Sequence, residues 1–328
     1  MMRAFVTRGL PGDALGALDG VCDVEVWPST APPDRASLLR HARAADGLLC
    51  MLTDRVDAEL LDACPRLRVV SNMAVGVDNI DLHAAATRAV AVGNTPDVLT
   101  DATADLTMAL MLAAARRLPE GIAAVRDGAW GPWRPDWLLG LELRDARLCI
   151  VGMGRIGSAV AERARAFGLQ VLRAGRAGSA EFYDSLGGAD IVSLHCPLTP
   201  QTRGLLDERA LEAMKPGAIL VNTARGAIVD QEALARALHT GQLGAAALDV
   251  TDPEPLPPEH PLLLAPRLIV LPHLGSATHR TRRRMAALAV ANLEAGLTGR
   301  PLPHPVTAGA GSDPEPLDIA LGGAPCPT

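Results

Sequence analysis

The chain has 328 residues, with 31 basic against 37 acidic side chains and a formal charge of −6; this length suits two ordinary domains and excludes fibres, peptides and small disulfide scaffolds. An acidic balance gives no electrostatic reason to expect nucleic acid or an anionic membrane as a partner, which leaves a small soluble ligand as the expectation. Although 48% of the residues are hydrophobic, charge, Gly or Pro interrupts every apolar run well short of the roughly 20 residues of a membrane-spanning helix.

Met1 to Val6 lead directly into a strand-like segment, with no room for a basic leader and cleavage site, so a cytoplasmic location is expected. Strand-like runs at Arg3–Thr7, Val24–Trp27, Gly47–Met51, Leu67–Val70 and Val90–Val92 alternate with helix-length segments, the pattern of a small parallel α/β sheet. A long Ala-, Leu- and Met-rich helical pattern follows from Thr100 to about Arg117, with Asp101 and Asp105 placed to suit the helix dipole. A second series comprises Arg147–Val151, Val171–Leu172, Ile191–Leu194, Ala218–Val221, Ala245–Leu248 and Leu268–Leu271, the strand number of a full dinucleotide-binding sheet. A last helix is expected from about Thr278 to Leu297, followed by a Pro- and Gly-rich tail that is expected to be flexible from 306 to 328. The cysteines, at 22, 50, 64, 149, 196 and 326, form no C-x-x-C pair, so neither zinc nor a disulfide framework is signalled.

Gly152-Met153-Gly154-Arg155-Ile156-Gly157 falls between a strand and a helix. There the G-x-G-x-x-G pattern lets the backbone turn tightly and bring a helix N-terminus against a pyrophosphate, with Arg155 and Ile156 supplying first-turn N–H groups. The second strand of that unit ends Gly175-Arg176, where NAD-binding chains carry an acidic residue for the ribose hydroxyls. A guanidinium at this position suits a 2′-phosphate, so NADP(H) is expected over NAD(H). Beyond later strand ends lie Arg225, Glu254 and His273. Together they can supply what hydride transfer to a 2-keto acid requires besides the dinucleotide: a cation, a carboxylate to tune a proton donor, and the donor.

Asn94-Thr95-Pro96-Asp97-Val98-Leu99-Thr100-Asp101, Pro272-His273-Leu274-Gly275-Ser276 and Ser276-Ala277-Thr278-His279-Arg280-Thr281-Arg282, with the glycine loop, carry a resemblance to the D-isomer-specific 2-hydroxyacid dehydrogenase family. Within it the chain is most similar to the glyoxylate/hydroxypyruvate reductases, over about residues 45 to 305. The resemblance implies two Rossmann-like, flavodoxin-like open parallel-sheet domains with the active site in the cleft between them. A discontinuous substrate domain would comprise 1–99 and 277–305, and a cofactor domain 100–276 would include a dimer arm at about 118–140. It further implies Arg225 as binder of the carbonyl and carboxylate, His273 as proton donor and Glu254 as the partner keeping His273 protonated. Val75 and Gly76 would bind the carboxylate through backbone N–H groups, Ser276 would border the substrate, and Thr103, Pro197, Thr202, Thr223 and Asp249 would line the cofactor site. Leu52 and the Trp-rich arm would wall the substrate, with Trp133 or Trp137 reaching toward a neighbouring subunit of a homodimer.

The expected reaction is NAD(P)H-dependent reduction of glyoxylate or hydroxypyruvate to the D-2-hydroxy acid, with small substrates favoured. No metal is implied, since Arg225 supplies the electrophile. The alternatives are another D-2-hydroxyacid dehydrogenase, such as one acting on 3-phosphoglycerate, and an NAD(P)-sensing corepressor-like binding protein. One departure is visible: Ala177 to Asp190 is about ten residues shorter than the family pattern, so a helix of the cofactor unit is expected to be truncated.

Overall fold

The computed structural model describes residues 1–307. Its first sheet contains β1 (Met2–Val6), β2 (Cys22–Val26), β3 (Gly47–Cys50), β4 (Val69–Asn72) and β5 (Ala91–Gly93), all parallel, in the order β2-β1-β3-β4-β5. The crossovers are α1 (Arg35–Ala42), α2 (Ala58–Ala63) and α3 (Leu82–Thr87). Each begins behind an aspartate, Asp34, Asp57 or Asp81, whose carboxylate accepts an N–H of the first turn, the usual side-chain answer to the orphan donors of a helix start.

Two helices, α4 (Thr100–Ala115) and α5 (Leu118–Arg126), lead to the second unit. It comprises β6 (Arg147–Val151), α6 (Arg155–Ala166), β7 (Gln170–Arg173), α7 (Ala180–Gly187), β8 (Ile191–Leu194), α8 (Glu208–Ala213), β9 (Ala218–Asn222), α9 (Gln231–Thr240), β10 (Leu243–Leu248) and β11 (Leu268–Val270). All six strands are parallel, in the order β11-β10-β9-β8-β6-β7. The number of strands agrees with the sequence reading, and the order adds something it did not contain. Counted within the unit it runs 2-1-3-4-5-6, whereas the two-halved dinucleotide sheet runs 3-2-1-4-5-6. Among the described residues no strand lies outside β7, and the shortened segment holds only the eight-residue α7. The reversal of order between β6 and β8 survives, and with it the crevice where open α/β sheets bind ligands.

The chain then returns as α10 (His279–Leu297), which lies on the first sheet rather than the second. Met285, Ala289, Val290 and Leu293 pack against Val6, Leu49 and Val69. Contact is close because glycines permit it: a Cβ on Gly47 would stand 2.6 Å from Leu293 Cδ1, and one on Gly296 would stand 2.5 Å from Val69 Cβ. The Ser71 hydroxyl donates to the Ala289 carbonyl at 2.7 Å. On the opposite face, Phe5, Leu48 and Val70 are covered by α1–α3, with Leu60 of α2 packed among them. The second sheet is buried under α4 and α6 on one side (Met108, Met111, Val160) and under α7–α9 on the other (Phe182, Leu211, Leu234). Each buried Leu or Val contributes about 1.5–3 kcal/mol of transfer free energy, which is how a chain with 2% aromatic residues supports two cores.

The fourth strand is displaced from the expected Leu67–Val70 to Val69–Asn72, so polar Ser71 and Asn72 lie wholly inside. Val306, the first residue of the expected tail, is held: its N–H donates to Val92 O at 2.8 Å and its side chain packs on the first core. Residues 308–328 of the tail lie outside the described residues. Cys22, Cys50, Cys64 and Cys149 are buried, and burial pushes the Cys149 thiol up to about 12, the behaviour of inert core thiols. Cys196 is half-buried, and Cys326 falls outside the described residues.

Candidate active site

β9, β10 and β11 end side by side, and a backbone relay joins the segments beyond them. Asp249 N–H donates to Asn222 O at 2.9 Å, and His273 N–H donates to Asp249 O at 2.9 Å. The two inner residues also use their side chains. Asn222 bonds the Arg225 carbonyl at 2.8 Å and the Ala224 N–H at 3.0 Å, shaping the loop that carries Arg225. Both oxygens of Asp249 accept from the turn after His273, Leu274 N–H and Gly275 N–H, each at 2.7 Å. Burial raises the Asp249 carboxyl above its ordinary range, while these two N–H bonds oppose the rise.

His273 adopts φ +56°, a left-handed conformation that a non-glycine residue holds only where its surroundings impose it. Asp249 supplies that imposition through three consecutive N–H groups, 273 to 275. The result aims the ring at Glu254, whose Oε1 lies 2.6 Å from His273 Nδ1. With Nδ1–H given to the carboxylate, Nε2 is the edge left for chemistry.

Arg225 sits over the loop that follows β4, at residues 73–78. Its Nε donates to both carboxylate oxygens of Asp78, at 3.0 and 3.2 Å, and Nη1 donates to Ala224 O at 2.8 Å. Nη2 occupies the space above Gly76, where a Cβ would come within 1.9 Å of it. That loop is tied by asparagines: Asn94 donates to Val75 O at 2.8 Å and Asn72 to Gly76 O at 2.9 Å. With their carbonyls taken, Val75 and Gly76 present the loop in a fixed orientation beneath the guanidinium.

The glycine loop fits a dinucleotide. Gly152, at φ +93°, has no room for a Cβ, which would meet Cys196 N at 2.4 Å, and one on Gly157 would meet Gly152 O at 2.2 Å. Gly154 precedes α6 without a side-chain cap, leaving the helix start to an anion. Arg155 pairs with Asp97 at 2.8 Å, and Ile156 packs against both cores. Pro197 and Thr202 form one loop, Thr202 Oγ1 donating to Pro197 O at 2.6 Å. Thr223 shares a 2.9 Å hydroxyl contact with Thr107, which donates to Thr103 O; Thr103 itself packs against Gly275. At the edge β7, Arg176 is exposed, whereas Gly175 is pressed against α7 so closely that a Cβ would lie 2.7 Å from Phe182 N.

A cleft of about 1260 Å³ runs past His273 and Glu254, with Leu52 and Met73 in its wall. Ser276 is buried at the turn into α10, next to Ala277 and Thr278, which line the cleft. Arg282 also lines it, and burial lowers this guanidinium below the ordinary arginine range. Trp133 and Trp137 do not line it: Trp133 is 85% exposed, and Trp137 lies under the Arg134 guanidinium, 5.6 Å from its ring centre. Among the described residues, no helix is long and apolar enough to cross a membrane.

Residues 108–275 match the family model of the D-isomer specific 2-hydroxyacid dehydrogenase, NAD binding domain. The chain belongs to the D-isomer-specific 2-hydroxyacid dehydrogenases. This dehydrogenase is 48% identical to a glyoxylate reductase of Aeropyrum pernix, over 92% of its own length and 95% of the relative's. It superposes with a TM-score of 0.87 on a Thermus thermophilus protein of known structure, at 52% identity and with 93% and 100% of the two chains covered. An NADPH-dependent glyoxylate/hydroxypyruvate reductase from Sinorhizobium meliloti, solved with NADP and malonate, aligns at a TM-score of 0.79 and 32% identity, covering 93% and 96%. The dehydrogenase is therefore an oxidoreductase that uses a nicotinamide dinucleotide and a small keto or hydroxy acid. Sequence reasoning did not single out Asn72, Asp78, Asn94 and Asn222 as individual site residues. The available signal was a polar residue at or just beyond each of several strand ends, but the partners that give these residues meaning are up to 147 positions away.

Proposed function

We propose that the dehydrogenase reduces glyoxylate to its achiral 2-hydroxy acid and hydroxypyruvate to its D-2-hydroxy acid, with NADPH preferred. The observation that carries the reading is the His273–Glu254 contact of 2.6 Å at the same sheet edge as an Arg225 whose Nη2 projects over Gly76. The substrate carboxylate bonds to Arg225 and to the N–H groups of Val75 and Gly76, which polarises the adjacent carbonyl and fixes the attacked face. His273 Nε2 donates a proton to the carbonyl oxygen as that oxygen becomes an alkoxide. Glu254 holds the ring and offsets its positive charge through Nδ1. A reduced nicotinamide dinucleotide, when bound, would supply the hydride, and Gly152, Gly154, Gly157, Thr103, Thr223 and Asp249 are the residues that would hold it. Arg176 favours a 2′-phosphate, and the residues directly after β7, Ala174, Gly175 and Arg176, include no acidic side chain; the Sinorhizobium relative is described as NADPH-dependent.

Residues 1–99 with 277–305 are read as the substrate domain and 100–276 as the cofactor domain, in a cytoplasmic homodimer. α5 supports the dimer. None of its residues is buried, and Leu118, Ile122 and Val125 are each at least 50% exposed, beside an equally uncovered Trp130 and Leu139. An apolar face of this kind ordinarily meets a partner, and one copy's arm would then bring Trp133 or Trp137 to the other's substrate. Steady-state kinetics with glyoxylate, hydroxypyruvate, pyruvate and 3-phosphohydroxypyruvate, each with NADH and NADPH, test the reading. A higher kcat/KM for 3-phosphohydroxypyruvate than for glyoxylate and hydroxypyruvate would overturn it.

A further inference from the structure

The cleft is larger than the proposed substrates need. At about 1260 Å³ it exceeds the usual range for drug-sized ligands, while glyoxylate has two carbons. The surplus is cationic. On α10, His279, Arg282 and Arg283 follow an i, i+3, i+4 spacing that puts them on one helix face, and all three line the cleft. Arg283 lies alongside the β1–β2 connection, its Cγ 3.7 Å from where a Gly12 Cβ would stand.

Arg8 lines the same cleft from the end of β1. Its guanidinium is held by the Thr7 carbonyl at 2.6 Å and the Thr53 hydroxyl at 3.4 Å, and lies 3.9 Å from the buried carboxylate of Asp54. Asp54 therefore offsets Arg8. Glu254, the acidic residue of the cleft wall, is engaged by His273. Arg282 and Arg283 form no ion pair with an acidic residue among those described. Trp27 adds an aromatic wall, its indole N–H tied to Ala31 O at 3.0 Å.

We propose that this arm of the cleft, with Arg283 as its reader, admits 2-oxo acids carrying a second, distal carboxylate, so that the enzyme also reduces four- and five-carbon 2-oxo dicarboxylates. This rests on the reductase reading above and extends its substrate class. The near carboxylate and the carbonyl take the places of those of glyoxylate, and the far carboxylate reaches the arginine face of α10. Hydride from the reduced nicotinamide adds to C2 and the His273 proton to its oxygen, giving the 2-hydroxy dicarboxylate and the oxidised dinucleotide.

The test compares 2-oxoglutarate with 2-oxopentanoate, a neutral-ended acid of equal length, in the wild-type protein and in Arg283→Gln, with glyoxylate as reference. A charge-assisted contact to an exposed arginine corresponds to about a 10-fold advantage in kcat/KM for the dicarboxylate, at the low end for such bonds because solvent screens it. Arg283→Gln should remove most of that advantage while changing the rates with 2-oxopentanoate and glyoxylate less than about twofold. Arg8→Lys, which keeps the charge beside Asp54, should leave the advantage in place. Equal kcat/KM for the two five-carbon acids, or an equal loss for both in Arg283→Gln, would overturn the proposal while normal glyoxylate turnover left the reductase reading intact. Turnover of 2-oxoglutarate without turnover of glyoxylate would overturn the reductase reading and support the distal site.

Discussion

Asp78 and Arg225 are 147 positions apart, yet both carboxylate oxygens of Asp78 accept from Arg225 Nε, at 3.0 and 3.2 Å. Asp78 follows β4 in the first sheet, and Arg225 follows β9 in the second, so the contact joins the two units at the cleft. Asp78 sets the rotation of the guanidinium, and the Ala224 carbonyl fixes one arm, which leaves the other over Gly76. Asp78→Asn keeps the size and removes the charge-assisted acceptor, so kcat/KM for glyoxylate should fall about 10-fold or more. Arg225→Lys replaces a planar fork with a point charge and should cost about 10²-fold or more. Unchanged kinetics in Asp78→Asn would mean that Arg225 is oriented by the loop alone.

His273→Ala should lower kcat by about 10²-fold or more, the usual cost of losing a general acid, while dinucleotide binding followed by nicotinamide fluorescence survives. Glu254→Gln should fall between wild type and His273→Ala in kcat, because the ring keeps a hydrogen-bond partner and loses its counter-charge. Full activity in His273→Ala would remove this residue from the chemistry.

Cofactor preference is best examined at Arg176. Its exposure allows truncation to Ala without disturbing a neighbour, and KM for NADPH should rise about 10-fold while that for NADH changes little. The reciprocal design, an acidic residue at position 175, conflicts with the structure: any Cβ there meets Phe182 N at 2.7 Å, so Gly175→Asp would move α7 before it altered specificity. An unaltered NADPH-to-NADH ratio in Arg176→Ala would make this arginine a solvated surface residue.

His195, beneath the glycine loop, bonds Ser193 Oγ through Nε2 at 2.8 Å, and burial lowers its pKa to about 4 from the ordinary 6.5. The folded state therefore holds this ring neutral where the unfolded chain protonates it. Between pH 6.5 and 4 the unfolded state binds more protons, so this residue's contribution is complete above pH 6.5 and diminishes as pH falls. The slope reaches at most about 1.4 kcal/mol per pH unit and is smaller for a ring that keeps some solvent contact. His195→Gln should flatten the decline of Tm over that interval. An equally steep acid limb in the variant would assign the sensitivity to other groups.

Ile122→Asp places a charge on the uncovered stripe of α5. If two copies meet there, light scattering should show a dimer for the wild-type protein and a monomer for the variant at micromolar concentration. A monomeric wild-type protein would leave the stripe without a second copy.

Much of this was legible because local chemistry and global arrangement agree. Arg147–Val151 and Ile191–Leu194 are apolar strands bounded by turn residues, and they occur in the structure with those limits. The glycine loop was readable because its residues solve a steric problem within six positions. β4 was misplaced by two residues because Ser71 and Asn72 look like the end of a strand until α10 and the substrate loop satisfy them. The strand order of the second unit was not readable from strand count, since the missing edge leaves no residue to inspect. The left-handed His273 was equally hidden, because it depends on a carboxylate 24 positions earlier that the sequence suggested only as a cofactor neighbour.

The return of α10 to the first sheet has a consequence for how the protein is made. During synthesis, β1 to β5 are finished by residue 93, but the face formed by Val6, Leu49 and Val69 receives its cover only when residues 285 to 297 have left the ribosome. At translation rates of about 5–20 residues per second, that face waits roughly ten seconds or more. The intervening unit is complete in sequence by β11 and can fold first, so the emerging chain carries a finished second unit beside an uncovered first sheet, the kind of surface that chaperones hold.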